Sequence, residues 1–280
     1  MRNFIKLEFE CLCNLDCKYC FAGQYKFKVD EQRTIRLMES VFDKFDPKET
    51  MFRIEGIGEV TLYPEIISYL TKKVETGYSI EVLTNGIISQ KFIKDNPLLK
   101  WLISLDGHTT QMNKYRGLSE VQVQRILDTI IEFNTEIQCV YSDQSIEEIN
   151  EFIQYLSSKN YKGFLHISPR RYDNIPLNIY IDSEKLHRTD FIAPEEYFRR
   201  WKYIYDNKNR DFICSFYANG FVYRIMHDED EVRKIKCDCA NHEFIYDNEK
   251  CSKSSEANCD TCINQFEYDV NRKLCKQNIL

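Results

Sequence analysis

An α/β fold follows from three observations on this 280-residue chain. Six short β-branched apolar runs are separated by helical patterns, and both give way to cysteines in the final third. Strands alternating with helices make a parallel sheet with the helices packed outside it. Eight such units close a full barrel and six leave it open. The class is therefore a partial (β/α)6 barrel of the TIM type, followed by a small cysteine-rich auxiliary domain. The expected division is residues 1–170 for the barrel, 171–210 for a linker or capping segment with a helix, and 211–280 for the cysteine-rich part.

Each element has its own warrant. Asn3–Glu10 is the first strand; Met51–Glu55, Ser79–Leu83, Leu99–Leu105, Glu136–Tyr141 and Gly163–Ile167 supply the other five. Ile35, Leu37, Met38, Val41 and Phe42 recur at helical spacing and mark the first helix. The second covers Leu62–Val74, with Pro64 in its first turn, where a missing N–H does no harm. Ile87–Ile93 is a short third. Val121–Phe133 gathers Ile126, Leu127, Ile130 and Ile131 on one side, and Ser119 is placed to cap it. Ile146–Leu156 repeats the pattern with Ile149, Phe152, Ile153 and Leu156, and Ala193–Tyr205, begun at Pro194, is the sixth. In such a fold the reactive residues gather at the C-terminal ends of the strands.

Composition limits the function. A formal net charge of −6 exerts no general pull toward nucleic acid or an anionic membrane. No apolar run approaches the roughly 18 residues of a spanning helix. Met1-Arg-Asn-Phe-Ile-Lys6 leads straight into a strand without a signal peptide's apolar stretch, so a cytoplasmic location is expected. Twelve cysteines in a reducing compartment read as metal ligands rather than disulfides.

Three of them, Cys13, Cys17 and Cys20, stand in Cys-Asn-Leu-Asp-Cys-Lys-Tyr-Cys just past the first strand. Such spacings let thiolates of one short loop converge on a single metal centre. Three protein ligands leave a fourth position open, which a reactive centre needs and a structural zinc site avoids. A zinc knuckle would need a further Cys or His. Cys11 is near, but its C-x-C spacing suits a strand residue better. The next strand ends carry Ile54-Glu-Gly-Ile-Gly58-Glu59-Val60 with Leu62-Tyr-Pro64, then Thr84-Asn85-Gly86, then Ile103-Ser104-Leu-Asp106-Gly107 with His108 after it. Arg116 follows within Asn113-Lys-Tyr-Arg116-Gly117.

In this order the motifs resemble those of the radical S-adenosylmethionine (SAM) enzymes, over residues 1–170. The triplet is similar to that superfamily's C-x3-C-x-aromatic-C signature, with Tyr19 as the aromatic. Gly58 and Glu59 resemble part of its Gly-Gly-Glu-Pro motif, although Ile57 replaces the first Gly and Val60 the Pro. The resemblance implies a [4Fe–4S] cluster on Cys13, Cys17 and Cys20, whose open iron chelates SAM. It implies reductive cleavage of SAM to a 5′-deoxyadenosyl radical that takes a hydrogen atom from the substrate. It places Tyr19, Gly58, Glu59, Asn85, Ser104, Asp106 and Arg116 around SAM: Glu59 at the ammonium, Ser104 at the ribose, Arg116 at the carboxylate, and Leu165 or Ile167 along the adenine. A carboxylate suits an ammonium, and an Arg fork suits a carboxylate.

Cys214, Cys237, Cys239, Cys251, Cys259, Cys262 and Cys275 fill the last part of the chain. Cys214 precedes Ser215–Tyr223, which reads as a hairpin turning at Asn219-Gly220. A Cys before a hairpin, then C-x2-C, resembles the SPASM and twitch extensions, which bind one or two auxiliary [4Fe–4S] clusters. The spacing departs from that pattern: Ile225 stands where a Cys is usual, nothing follows Cys262 until Cys275, and Cys237-Asp-Cys239 is foreign to it. At least one auxiliary cluster is expected, on Cys259 and Cys262 first and Cys214 and Cys275 next. A four-thiolate zinc site is the alternative. A leftover thiol would be a bystander, a ligand or a hydrogen-atom donor, and His227 and His242 lie near these cysteines.

Enzymes with such extensions most often modify ribosomally made peptides or proteins by crosslinking, epimerisation or oxidation. The resemblance therefore implies a peptide or protein substrate, with a flavodoxin or ferredoxin as low-potential electron donor. A first strand at Asn3 is expected to leave no leader-peptide-binding domain before it, which keeps a sugar or nucleoside substrate, or activation of a glycyl-radical enzyme, open. An electron carrier or a zinc-stabilised binding protein is the non-enzyme alternative. Glu59, Ser104 and Arg116 speak against it.

Overall fold

The computed structural model describes residues 3–20, 27–88, 90–169, 183–187, 189–192, 221–225, 232–238, 243–246 and 249–250. Strand and helix alternate as β1 (Asn3–Glu10), α1 (Glu31–Phe42), β2 (Thr50–Ile57), α2 (Pro64–Glu75), β3 (Ser79–Thr84), α3 (Gln90–Asp95), β4 (Lys100–Ser104), α4 (Glu120–Phe133), β5 (Glu136–Tyr141), α5 (Ile146–Ser158) and β6 (Leu165–Pro169). β1 to β6 lie parallel in chain order, each beside the next. This is the six-stranded parallel sheet of a partial TIM-type barrel.

Local chemistry sets the helix ends. Asp30 caps α1 by accepting from the Arg33 N–H. Ser119 with Gln122 and Ser145 with Glu148 form reciprocal capping boxes at α4 and α5, each satisfying two otherwise orphaned N–H groups. Asn134 ends α4 in the left-handed conformation at φ 48°, where an Asn is tolerated better than a branched residue.

One face of the sheet is apolar. Ile5, Leu7, Phe9, Phe52, Ile54, Val82 and Ile103 join Met38, Phe42, Ile66, Leu70, Ile126 and Phe152 from the helices in one buried core. Phe42 and Phe52 stack at 4.2 Å, and Tyr78 closes that cluster by donating its hydroxyl to the Phe42 carbonyl at 2.8 Å. The other face is polar and yet covered. Lys6, Glu8 and Glu10 alternate with the apolar residues of β1 and are only 5–6% exposed. Their neighbours in register are Arg53, Glu55 and Ile57 of β2. Lys6 pairs with Glu55 at 3.3 Å, Arg53 with Glu81, and His166 with Glu136 at 2.7 Å. The inner wall is therefore built of charge matched across strands.

Beyond β6 the described pieces are strands. β7 (Phe221–Ile225), β8 (Val232–Asp238), β9 (Glu243–Tyr246) and β10 (Glu249–Lys250) continue the sheet on the far side of β1. β7 is parallel to β1, with Leu7 opposite Tyr223, and antiparallel to β8. Phe221–Tyr223 of the expected Ser215–Tyr223 hairpin stand in β7, whose antiparallel partner β8 follows it in the chain; the rest of that hairpin with its Asn219-Gly220 turn lies outside the described residues, as does the helix expected over Ala193–Tyr205. Among the described residues no helix is long and apolar enough to cross a membrane.

A candidate cofactor site at the strand ends

The cysteine loop runs off the end of β1 and is stitched to the loop after β2. The Cys11 N–H donates to the Ile57 carbonyl at 3.1 Å and the Glu59 N–H to the Leu12 carbonyl at 2.8 Å. The Leu12 N–H reaches the Tyr63 hydroxyl at 2.9 Å. Cys11 is fully buried and serves as the seat for the second loop. A Cβ on Gly56 would lie 2.9 Å from the Cys11 sulfur, and one on Gly58, at φ +145°, would lie 2.1 Å from the Cys11 carbonyl oxygen. Gly58 lets two backbones touch and Gly56 leaves room for the Cys11 sulfur, so Cys11 is a packing residue of that contact.

Cys13 and Cys17 are half-buried and Cys20 is exposed. The Leu15 N–H lies 3.5 Å from the Cys13 sulfur and the Asn85 side-chain amide 3.8 Å from it. Donors aimed at a ligating sulfur stabilise the thiolate and orient it. Burial pushes the Cys17 thiol up to about 11 against the pull of Arg116, so a metal that takes this sulfur displaces a proton. Among the described residues no three His, Cys, Asp or Glu side chains are gathered closely enough to share one metal ion. A [4Fe–4S] cubane takes each thiolate on a separate iron, and so asks for a wider triangle than a single zinc ion does.

Glu59 is 1% exposed. One carboxylate oxygen accepts from the Thr61 N–H at 3.1 Å, the Thr61 hydroxyl at 2.6 Å and the Thr84 hydroxyl at 2.7 Å. The other accepts from the Asn85 N–H at 2.7 Å. Glu59 thus braces the end of β2 against the end of β3. Glu59→Gln puts an amide NH2 among donors and is expected to cost about 1–3 kcal/mol of stability. Thermal unfolding checks this, since a midpoint equal to wild type would show that the bracing bonds are not formed.

Asn85 joins the parts: its amide also donates to Asn14 at 2.6 Å, and its carbonyl accepts from Arg116 Nη2 at 3.4 Å. Arg116 is 4% exposed. Its Nη1 donates to the Tyr19 hydroxyl at 3.1 Å, while its Nε is buried without a hydrogen-bond partner. Tyr19 in turn donates to Asp106 at 2.7 Å, and the other Asp106 oxygen accepts from the Val140 N–H at 3.0 Å. Ser104 stands half-buried at the end of β4, in register with Gln138, whose amide reaches Ser168 at 3.0 Å.

The structure thus brings Cys13, Cys17, Tyr19, Asn85, Asp106 and Arg116 into one network, with the Gly58–Glu59 loop behind it. Leu165 and Ile167 do not line it. Both are fully buried in the core that faces the helices, because strand alternation turns His166 and Ser168 the other way. His108 is also apart, stacked on Phe152 and Tyr155 at 6.0 and 5.2 Å. Sequence reasoning missed Asn113, wholly buried, which accepts from the Asp106 N–H at 2.9 Å and donates to the Gly107 and Thr109 carbonyls at 2.8 Å each. Its one signal was its place three residues before Arg116. Cys237 lies in β8; Cys214, Cys239, Cys251, Cys259, Cys262 and Cys275, with His227 and His242, lie outside the described residues.

The fold and the motifs at its strand ends define the class: this chain belongs to the radical SAM enzymes, whose members use a [4Fe–4S] cluster and SAM. No protein-family model matches it. Neomycin C epimerase of Streptomyces fradiae is 37% identical over 276 residues, covering 98% of this chain and 91% of that protein. SuiB of Streptococcus suis, solved with precursor peptide SuiA, superposes with a TM-score of 0.56 at 15% identity, over 97% of this chain and 67% of SuiB. The structure of anSMEcpe with bound AdoMet gives a TM-score of 0.50 at 20% identity, over 72% of this chain and 59% of that one.

Proposed function

We infer that this enzyme uses SAM to abstract a hydrogen atom from a carbon of a small, sugar-type molecule. One observation carries the substrate class: the 37% identity along 98% of the chain with an enzyme named for epimerising neomycin C. The peptide substrate first expected has a weaker basis, since at 15% identity SuiB shares the fold alone. The inner wall supports the small-molecule reading as well. Glu55, Glu136 and His166 are the half-buried groups on that face and suit a molecule rich in hydroxyls and amines, while Arg53 and Glu81 are paired and covered behind them.

When bound, the cluster and SAM supply an electron-driven cleavage that yields methionine and a 5′-deoxyadenosyl radical. The chain supplies the holding and the shielding. Cys13, Cys17 and Cys20 hold the cluster, with the Leu15 N–H and Asn85 directed at the first sulfur. Arg116 holds SAM's carboxylate through its unpartnered buried Nε, Ser104 faces the ribose, and the Gly58–Glu59 loop presents backbone to the ammonium while the Glu59 side chain keeps that loop in shape. Tyr19 and Asp106 complete the pocket. We further assign at least one auxiliary cluster to cysteines among Cys214, Cys237, Cys239, Cys251, Cys259, Cys262 and Cys275, with Cys259 and Cys262 first, on the resemblance to SPASM and twitch extensions, and a flavodoxin or ferredoxin as electron donor.

The test is anaerobic turnover of cluster-loaded protein with SAM and a low-potential reductant. Neomycin C and other amino sugars are expected to raise 5′-deoxyadenosine above the substrate-free level. Epimerisation in D2O should give an isomer one mass unit heavier, because the radical removes carbon-bound hydrogen and an exchangeable donor such as a thiol, with one electron, restores it. Stimulation by peptides with none by any sugar would overturn the substrate class.

A further inference from the structure

We propose that the Tyr19 hydroxyl is a positioning group that sets the Arg116 fork, so that the aromatic residue of the cysteine loop acts through its oxygen and not only through its ring. The proposal rests on the reading of Arg116 as the partner of SAM's carboxylate, and it adds what holds that Arg in place.

The geometry is a buried relay. Asp106 is 1% and Arg116 4% exposed, and between these opposite charges stands a neutral phenol that donates to the first at 2.7 Å and accepts from the second at 3.1 Å. Asp106 is itself pinned from two sides, by the Val140 N–H on its carboxylate and by Asn113 on its backbone N–H. Arg116 is pinned at Nη2 by the Asn85 carbonyl. With Nη1 and Nη2 each engaged once, the planar guanidinium has one orientation, which leaves its Nε–H buried without a partner. The Lys18 N–H donates to the Tyr115 carbonyl at 2.7 Å, so the residues on the N-terminal side of Tyr19 and of Arg116 are tied as well. The cysteine loop and the Arg116 segment therefore move together: where the loop goes, the fork follows. A Phe at position 19 keeps the ring and deletes the oxygen through which Tyr19 joins Asp106 to Arg116.

A double-mutant cycle on cluster-loaded protein tests this. Wild type, Tyr19→Phe, Arg116→Lys and the pair are compared by equilibrium dialysis of SAM, with iron and sulfide counted on the same samples. Tyr19→Phe is expected to weaken SAM binding about tenfold at unchanged iron, and by less than about twofold once Arg116 is Lys. A similar weakening in both backgrounds, or none in either, overturns the proposal, because the hydroxyl would then not act through Arg116. Asp106→Asn keeps the hydroxyl and removes the charge that holds it. It is expected to weaken SAM binding in the same Arg116-dependent way and stands in if Tyr19→Phe fails to load its cluster; an effect independent of Arg116 overturns the proposal. Unchanged SAM affinity in Arg116→Lys and Arg116→Ala sinks the reading of Arg116 itself, a result separate from any obtained with Tyr19.

Discussion

Changing Cys13, Cys17 and Cys20 together to Ala is expected to abolish 5′-deoxyadenosine formation and to leave the barrel folded. The chemistry demands the first half: with no thiolates on the loop there is no cluster to deliver the electron. The structure accounts for the second. None of the three sulfurs belongs to the buried core, and the loop is held by Cys11, Leu12 and Tyr63 at its start and by Lys18 and Tyr19 further on. Circular dichroism and thermal unfolding of the metal-free variant should therefore match the metal-free parent. Iron counts on the same variant also read out the C-terminal cysteines, because about four irons per chain remain for each auxiliary cluster. Zinc with negligible iron would replace that assignment by a zinc site. Product formation at the parent's rate would show that the loop is not the cluster site.

The second large effect falls on folding. Arg53→Met is expected to destabilise the protein by about 3–5 kcal/mol, the scale of breaking a buried ion pair from one side. Arg53 is 6% exposed and its partner Glu81 1%, and Glu55 and Glu136 bear on the same guanidinium. Removing the cation strands Glu81 inside the sheet with two further carboxylates close by. The double change Arg53→Met with Glu81→Leu should recover most of the loss, since both partners are then apolar. Chemical unfolding of the apo proteins reads both. A loss below about 1 kcal/mol would mean that the pair is as wet as a surface bridge.

The chain's local chemistry carried most of the barrel. Asn3–Glu10 and Glu136–Tyr141 are strands over those same residues, and the caps at Ser119 and Ser145 begin helices where hydroxyls meet orphaned N–H groups. These are short-range effects, visible in neighbouring residues. What stayed hidden was long-range. The alternation of Lys6, Glu8 and Glu10 reads as a wet face, and only the curl of the sheet turns it into a covered wall. Glu59 carries a ligand's chemistry in the motif, but its four hydrogen bonds come from residues 2 to 26 positions away. The Tyr19–Asp106 bond spans 87 positions and leaves no trace in spacing. Chain order showed which strand ends carry chemistry; it did not show which side chains hold one another.

The pairing of β7 with β1 has a consequence for how the protein is made. The two strands are the first and the seventh, with Ile5 opposite Phe221, so one flank of β1 waits while more than two hundred residues emerge. At roughly 5–20 residues per second, synthesis leaves that flank bare for about ten seconds or more. Unpaired strand flanks recruit other chains. That flank of β1 is therefore the stretch of the nascent polypeptide open to pairing with another chain until Phe221–Ile225 arrives.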